Sequence, residues 1–209
     1  MEIVASVSRV RGGVCLIIGS ESITVPASLY RARPLQEGDA VDLDEYDRWL
    51  LLRQYRPALD YAVRLLSQRA WAAGELGARL ERLGYRPQTV EMVLYKLSSN
   101  QLLDDTSFAR QWAAARANRK LGASRIAMEL RRKGVSEEDT ALAIQSLDEE
   151  TQSANAASLA QKAVSRAKPG EDPRKTAQRA IAMLARRGFS YELARSAVRQ
   201  AMCGEDELT

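Results

Sequence analysis

The chain has 209 residues, 45% of them hydrophobic, enough apolar material for a real core in one domain or two. No run approaches the roughly 18 apolar residues of a membrane helix, and the start Met1-Glu2-Ile3-Val4 lacks the basic-then-apolar pattern of a signal peptide, so a cytoplasmic location is expected. There is no histidine, and Cys15 and Cys203 stand far apart, which leaves no zinc or nucleophile site and removes the commonest base near neutral pH. Neither a metal, a cofactor nor an enzymatic activity is expected.

The net charge of +4 is mild, but it is unevenly spread: residues 151–209 hold ten Lys or Arg against six Asp or Glu, while residues 1–57 hold seven against eight. Glu2–Val10 alternates roughly apolar with polar, Arg11-Gly12-Gly13 supplies a turn, and Val14–Ile18 is a β-branched run, which together predict a hairpin. A third strand is expected over Ser22–Val25, stopped by Pro26, and a fourth short one at Val41–Leu43 after the turn at Glu37-Gly38-Asp39. From Asp44 onward the pattern is helical, and Pro57 is read as opening a new helix, as a first-turn proline can.

A Leu-x-x-x-Gly pattern then recurs at Leu80/Gly84, Leu130/Gly134 and Leu184/Gly188. Eight residues before each glycine stand Leu76, Ile126 and Ala180; one after stand Tyr85, Val135 and Phe189; ten after stand Leu94, Ile144 and Val198. Three tandem three-helix units follow, each with a glycine in the left-handed conformation closing its middle helix. The first has helices near 58–69, 73–83 and 87–99. The second opens at Asp104-Asp105, one of them the cap, with Phe108, Ala109 and Trp112 on one face; it turns at Gly122 and restarts at Ser136, with Asp139 completing a capping pair. The third runs from about Thr151 to Lys168, breaks at Pro169-Gly170 and restarts at Asp172-Pro173, with residues 149–158 either a hinge or continuous helix.

The expected fold class is therefore mainly α: an elongated tandem array of three three-helix repeats with a small β-rich N-terminal segment. The expected divisions are 1–56 for the β-rich segment and 57–103, 104–150 and 151–209 for the repeats. Such arrays present extended surfaces suited to lying along a polymer.

The run Leu66-Ser67-x-Arg69, Glu75-Leu76, Leu80, Gly84, Leu103-Asp104-Asp105-x-x-Phe108-Ala109, Arg116, Gly122, Arg125-Ile126, Glu129-Leu130 and Gly134-Val135 resembles the RecX family, regulators of the bacterial RecA recombinase. The likeness is close over 57–150 and one of layout elsewhere. Ala72 departs from the serine frequent there, removing a helix cap, and Leu102 from a frequent tyrosine. The resemblance implies a non-enzymatic monomer that binds the RecA nucleoprotein filament, in its groove or at an end, and mostly inhibits its ATPase, strand-exchange and co-protease activities.

In the family's terms the partner-binding candidates are Arg116, Arg119, Lys120, Arg125, Arg131, Arg132 and Lys133 of the second repeat and Arg174, Lys175, Arg179, Arg186 and Arg187 of the third. Each has a plainer reading. Basic residues in a last helical turn complement the helix dipole on a wet face, and Arg116 or Arg125 at a helix seam can pair with Asp105 or Glu129. Phe108, Trp112 and Leu130 are read as core, and Trp71 as a candidate exposed anchor. The competing function is direct DNA binding by a helix of one repeat, acting by competition for DNA. Hydrolysis by Asp104 and Asp105 is disfavoured, because adjacent helical residues point about 100° apart.

Overall fold

The computed structural model describes residues 1–168 and 171–206. The break expected at Pro169-Gly170 lies outside them. Four strands, β1 (Glu2–Val10), β2 (Gly13–Ile18), β3 (Glu21–Pro26) and β4 (Ala40–Val41), form an antiparallel sheet in the order β3-β2-β1-β4. The β1–β2 hairpin pairs Val10 with Gly13, as the Arg11-Gly12 turn requires. One face buries Val4, Val14, Leu16, Ile18, Ile23 and Val25 against Leu29, Tyr46 and Leu50. A short helix α1 (Ala27–Ala32), absent from the sequence reading, follows β3.

A single helix α2 (Leu43–Leu66) then runs through Pro57. This corrects the expectation of a helix beginning at that proline. Pro57 cannot donate to the Arg53 carbonyl, at a cost of roughly 3 kcal/mol in a helix interior. The helix continues because its halves serve two cores: Tyr46 and Leu50 pack with the sheet, Ala58 and Ala62 with the next helices. Buried Gln54 between them accepts a bond from the Arg86 amide at 2.7 Å.

Helices α3 (Ala73–Glu81) and α4 (Pro87–Ser99) complete the first three-helix unit. The second comprises α5 (Asp105–Ala117), α6 (Ala123–Arg132) and α7 (Glu137–Gln145), and the third α8 (Glu149–Val164), α9 (Pro173–Arg186) and α10 (Tyr191–Asp206). The capping pair at Ser136 forms: its hydroxyl accepts from the Asp139 amide at 3.0 Å and donates to the Asp139 carboxylate at 2.7 Å. A second bond, from Thr106, ties Asp139 to α5. No hinge opens at 149–158. Asp148 caps α8, accepting from the Thr151 amide at 2.8 Å, and Ala156 and Ala160 are fully buried, so this stretch is continuous helix.

The three equivalent glycines adopt φ of 90° (Gly84), 77° (Gly134) and 92° (Gly188). In each turn the glycine amide bonds back three residues and the next amide five, from Tyr85 to Leu80, Val135 to Leu130 and Phe189 to Leu184. This is the Schellman arrangement, with its apolar contact supplied by the buried Leu and the buried residue after the glycine.

The chain separates into two compact units, Met1–Asp104 and Asp105–Thr209. In the first, β3 lies against the Gly84 turn: a Cβ there would fall 2.2 Å from the Thr24 carbonyl oxygen. No helix among the described residues is long and apolar enough to cross a membrane.

Candidate partner-binding surface

In the second unit, repeats two and three are joined at one junction. The C-terminal carbonyls of α9, which have no partner within their helix, accept from the N-terminal amides of α6: Gly122 N to Arg187 O at 2.9 Å and Ser124 N to Gly188 O at 3.1 Å. Each helix end thereby satisfies the other's orphan groups, with opposite dipole ends facing. The contact is backbone to backbone; a Cβ on Gly122 would sit 2.3 Å from the Gly188 carbonyl carbon. Asn155 of α8 reinforces it by donating to the Ala117 carbonyl at 2.8 Å.

Two candidate cations are built into this junction. Lys120, held at φ 58° just beyond α5, donates from Nζ to the Ser158 hydroxyl at 2.6 Å. Its carbonyl lies 3.4 Å from Arg187 Nη1, which donates to it. A non-glycine residue at positive φ costs about 1 kcal/mol or more, so surrounding structure holds Lys120 there.

A second group gathers on the α5–α6 seam. Arg116 Nε stands 2.7 Å from Glu129 Oε2, in an off-line approach that makes the contact one of charge rather than a directed hydrogen bond. Arg125 Nε is 3.7 Å from the other oxygen of Glu129. The Arg116 guanidinium carbon and Lys133 Nζ lie 4.1 and 4.2 Å from the centroid of the Trp112 ring, which stacks on Phe108 at 5.8 Å. Contacts of this kind contribute roughly 0.5–2 kcal/mol according to desolvation. Phe108 and Leu130 are buried, whereas Trp112 is only half-buried. Lys133 is therefore not on a fully solvated face.

The remaining candidates are exposed. Arg131 is clamped by both oxygens of Glu137 at 2.6 and 2.8 Å, which raises the pKa of the guanidinium and lowers that of the carboxyl. Arg179 is held likewise by Glu171 at 2.7 and 3.2 Å; the Glu171 carboxyl lies below its usual range, first because the Lys168 amide donates to it. Arg119, Arg132, Arg174, Lys175 and Arg186 have no side-chain partner among the described residues. Arg174 and Lys175 open α9 and Arg186 ends it, about 18 Å apart at 1.5 Å per residue. The twelve cations thus form a junction pair, a seam group and scattered exposed charges.

Trp71, expected as an exposed anchor, is half-buried against the core of the first unit. Its Nε1 donates to the Leu65 carbonyl at 3.2 Å, and the Arg69 guanidinium covers the ring at 3.6 Å. The junction itself was missed in the sequence. Its only local sign is that Gly122 occupies ordinary extended backbone, φ −83° and ψ 162°, where a glycine has no conformational reason to stand.

This arrangement suits charge-assisted contact with an acidic surface or a phosphate backbone. Among the described residues, no group of three or more His, Cys, Asp or Glu is placed to hold a metal ion. Residues 104–144 match the profile described as RecX, second three-helix domain, and residues 150–198 that of RecX, third three-helix domain. A regulatory protein RecX of Mycobacteroides abscessus is 36% identical over 151 residues, covering 72% of this chain and 74% of that protein. One from Mycolicibacterium smegmatis is 33% identical over 154 residues, covering 72% and 82%. Among solved structures, a crystal structure of regulatory protein RecX matches with TM-score 0.65 at 22% identity, over 96% of this chain and all of that one. RecX from Lactobacillus salivarius gives TM-score 0.65 at 20% identity, over 70% and 96%. With two of its three-helix units matched in order and 36% identity to a regulatory relative over the 151 residues aligned, which span most of both proteins, the chain belongs to the RecX family of regulatory proteins.

Proposed function

We propose that this chain is a non-enzymatic regulator in the cytoplasm that binds the RecA nucleoprotein filament, in its groove or at an end, and mostly inhibits ATP hydrolysis, strand exchange and co-protease activity. The observation that carries this reading is the shared identity with regulatory proteins RecX across seven-tenths of the chain. The exposed cations of the second unit supply chemistry that fits an acidic or phosphate-bearing partner. Those without an internal carboxylate, Arg119, Arg132, Arg174, Lys175 and Arg186, are the contacts proposed first. They can engage a partner without first giving up an ion pair.

The test is a titration of RecA ATPase on single-stranded DNA. Wild-type protein inhibits at concentrations well below those that saturate DNA, and the combined reversal Arg119→Glu, Arg132→Glu, Arg174→Glu weakens inhibition while the circular-dichroism spectrum is unchanged. Unaltered ATPase and strand exchange with the wild-type protein refute the reading. Inhibition accounted for entirely by salt-sensitive affinity for naked DNA favours competition for DNA instead.

A further inference from the structure

The first unit carries a charged feature that no candidate above includes. Between the β3–α1 corner, α2 and the α3–α4 turn opens a cleft of 430 Å³ lined by Arg31, Arg64 and Arg79, together with Tyr61 and Tyr85. It runs into a second cleft of 350 Å³ along the hairpin, with which it shares Gly12, Ala27 and Arg31, and which adds Arg9. Among the described residues lining the two, Asp60 is the single carboxylate, and its salt bridge is to Arg56, outside the cleft, at 3.3 Å. Four arginines therefore face one carboxylate already bound elsewhere.

None of these arginines has a carboxylate partner among the described residues. Arg31 Nε donates to the Ala27 carbonyl at 3.2 Å, and Arg79 Nη2 to the Tyr61 hydroxyl at 3.2 Å. The Arg64 guanidinium lies 5.1 Å from the Tyr61 ring centroid. These contacts orient the guanidinium groups without neutralising them, and Arg31 and Arg64 are exposed. Elsewhere in the same unit the balance is reversed: a cleft of 640 Å³ is lined by Glu2, Glu21, Asp42, Asp44 and Asp47, with Arg86 the one basic side chain among the described residues lining it. The basic cleft is thus a local concentration of one sign, set on a unit that carries the other sign in a separate cleft.

We propose that this basic cleft binds the phosphodiester backbone of single-stranded nucleic acid. A guanidinium presents paired N–H donors that match phosphate oxygens. Several such groups lining two connected clefts can take successive phosphates of a flexible polyanion, which a narrow concavity admits as a single strand. Arg9 lines only the second cleft and Arg64 and Arg79 only the first, so a chain of phosphates is the ligand that engages both clefts. The site lies wholly within the first unit and does not depend on the filament reading.

The test is fluorescence anisotropy of a labelled oligothymidylate with the full chain, over a range of salt, for wild type and for Arg31→Ala/Arg64→Ala. Each lost phosphate contact on a single strand removes about 0.7 from the slope of log affinity against log salt. The double variant is thus expected to lower the slope by about 1.4, or about 25-fold in affinity at 0.1 M salt. Arg31→Lys/Arg64→Lys retains most of the slope, which a merely structural role of the arginines does not predict. Equal binding by wild type and the alanine variant, with matching thermal melts, overturns the proposal. So does competition by inorganic phosphate as effective per phosphate as by unlabelled oligonucleotide, which makes the cleft a free-anion site. RecA ATPase inhibition, measured in parallel, reports on the filament reading separately.

Discussion

Three glycine substitutions separate backbone conformation from packing at the α6–α9 junction. Gly38→Ala adds a methyl at φ 91° with nothing within 4 Å, so it carries only the left-handed penalty, roughly 1–2 kcal/mol. Gly122→Ala adds one at φ −83°, which any residue adopts, but 2.3 Å from the Gly188 carbonyl carbon and Phe189 nitrogen. Its cost is purely that of forcing two backbones apart: about 1–3 kcal/mol of overpacking, and roughly 1 kcal/mol for each of the two inter-repeat hydrogen bonds that lengthen. Gly188→Ala combines both, with φ 92° and a Cβ 2.4 Å from the Arg125 backbone nitrogen, and is expected to be the most damaging at about 4–7 kcal/mol. Because Gly122 and Gly188 share one contact, the double variant costs less than the sum of the singles. Urea unfolding followed by circular dichroism measures the losses, and amide exchange locates them at Gly122 and Ser124. A Gly122→Ala variant as stable as wild type refutes the junction as described.

Other outcomes follow from individual contacts. Glu129→Ala leaves the Arg116 charge facing only Trp112 and costs about 2 kcal/mol in urea melts, below the value for a fully buried pair because about a fifth of each side chain stays in water. Glu129→Gln recovers part of it. Ala72→Ser places a hydroxyl where α3 has no side-chain cap and raises stability by about 1 kcal/mol, read as a higher urea midpoint at constant slope. The Asp139 carboxyl is held below its ordinary value by hydrogen bonds from Thr106 and then Ser136. A depressed folded pKa means the stabilisation is complete above about pH 4 and disappears as pH falls through the folded value. The stability gap between wild type and Asp139→Asn therefore narrows on going from pH 6 to pH 3; a gap independent of pH contradicts the assignment.

Much of this architecture is written locally. A left-handed glycine four residues after a buried leucine needs only near neighbours to form, so Gly84, Gly134 and Gly188 mark the middle helix of each repeat from the sequence alone. The hairpin at Arg11-Gly12 and the caps at Ser136 and Asp148 are legible for the same reason: donor, acceptor and turn residue lie within a few positions of each other.

Where distant segments compete with local preference, only the tertiary structure decides. Pro57 is a helix starter by propensity, yet two cores buried along one helix outweigh its lost hydrogen bond. Trp71 sits in a turn between alanines and still packs, because α2 supplies an acceptor and Arg69 a cover for its ring. The same holds for charge. The i,i+4 spacing of Arg125 and Glu129 is local, but chain folding decides that Arg116 meets the same Glu129 rather than Asp105, that Arg187 reaches the Lys120 carbonyl, and that Arg119 and Arg132 are left to solvent. The Arg116–Glu129 and Lys120–Arg187 contacts join residues from different helices, the latter 67 positions apart, and their energies depend on distance and burial that no local pattern encodes.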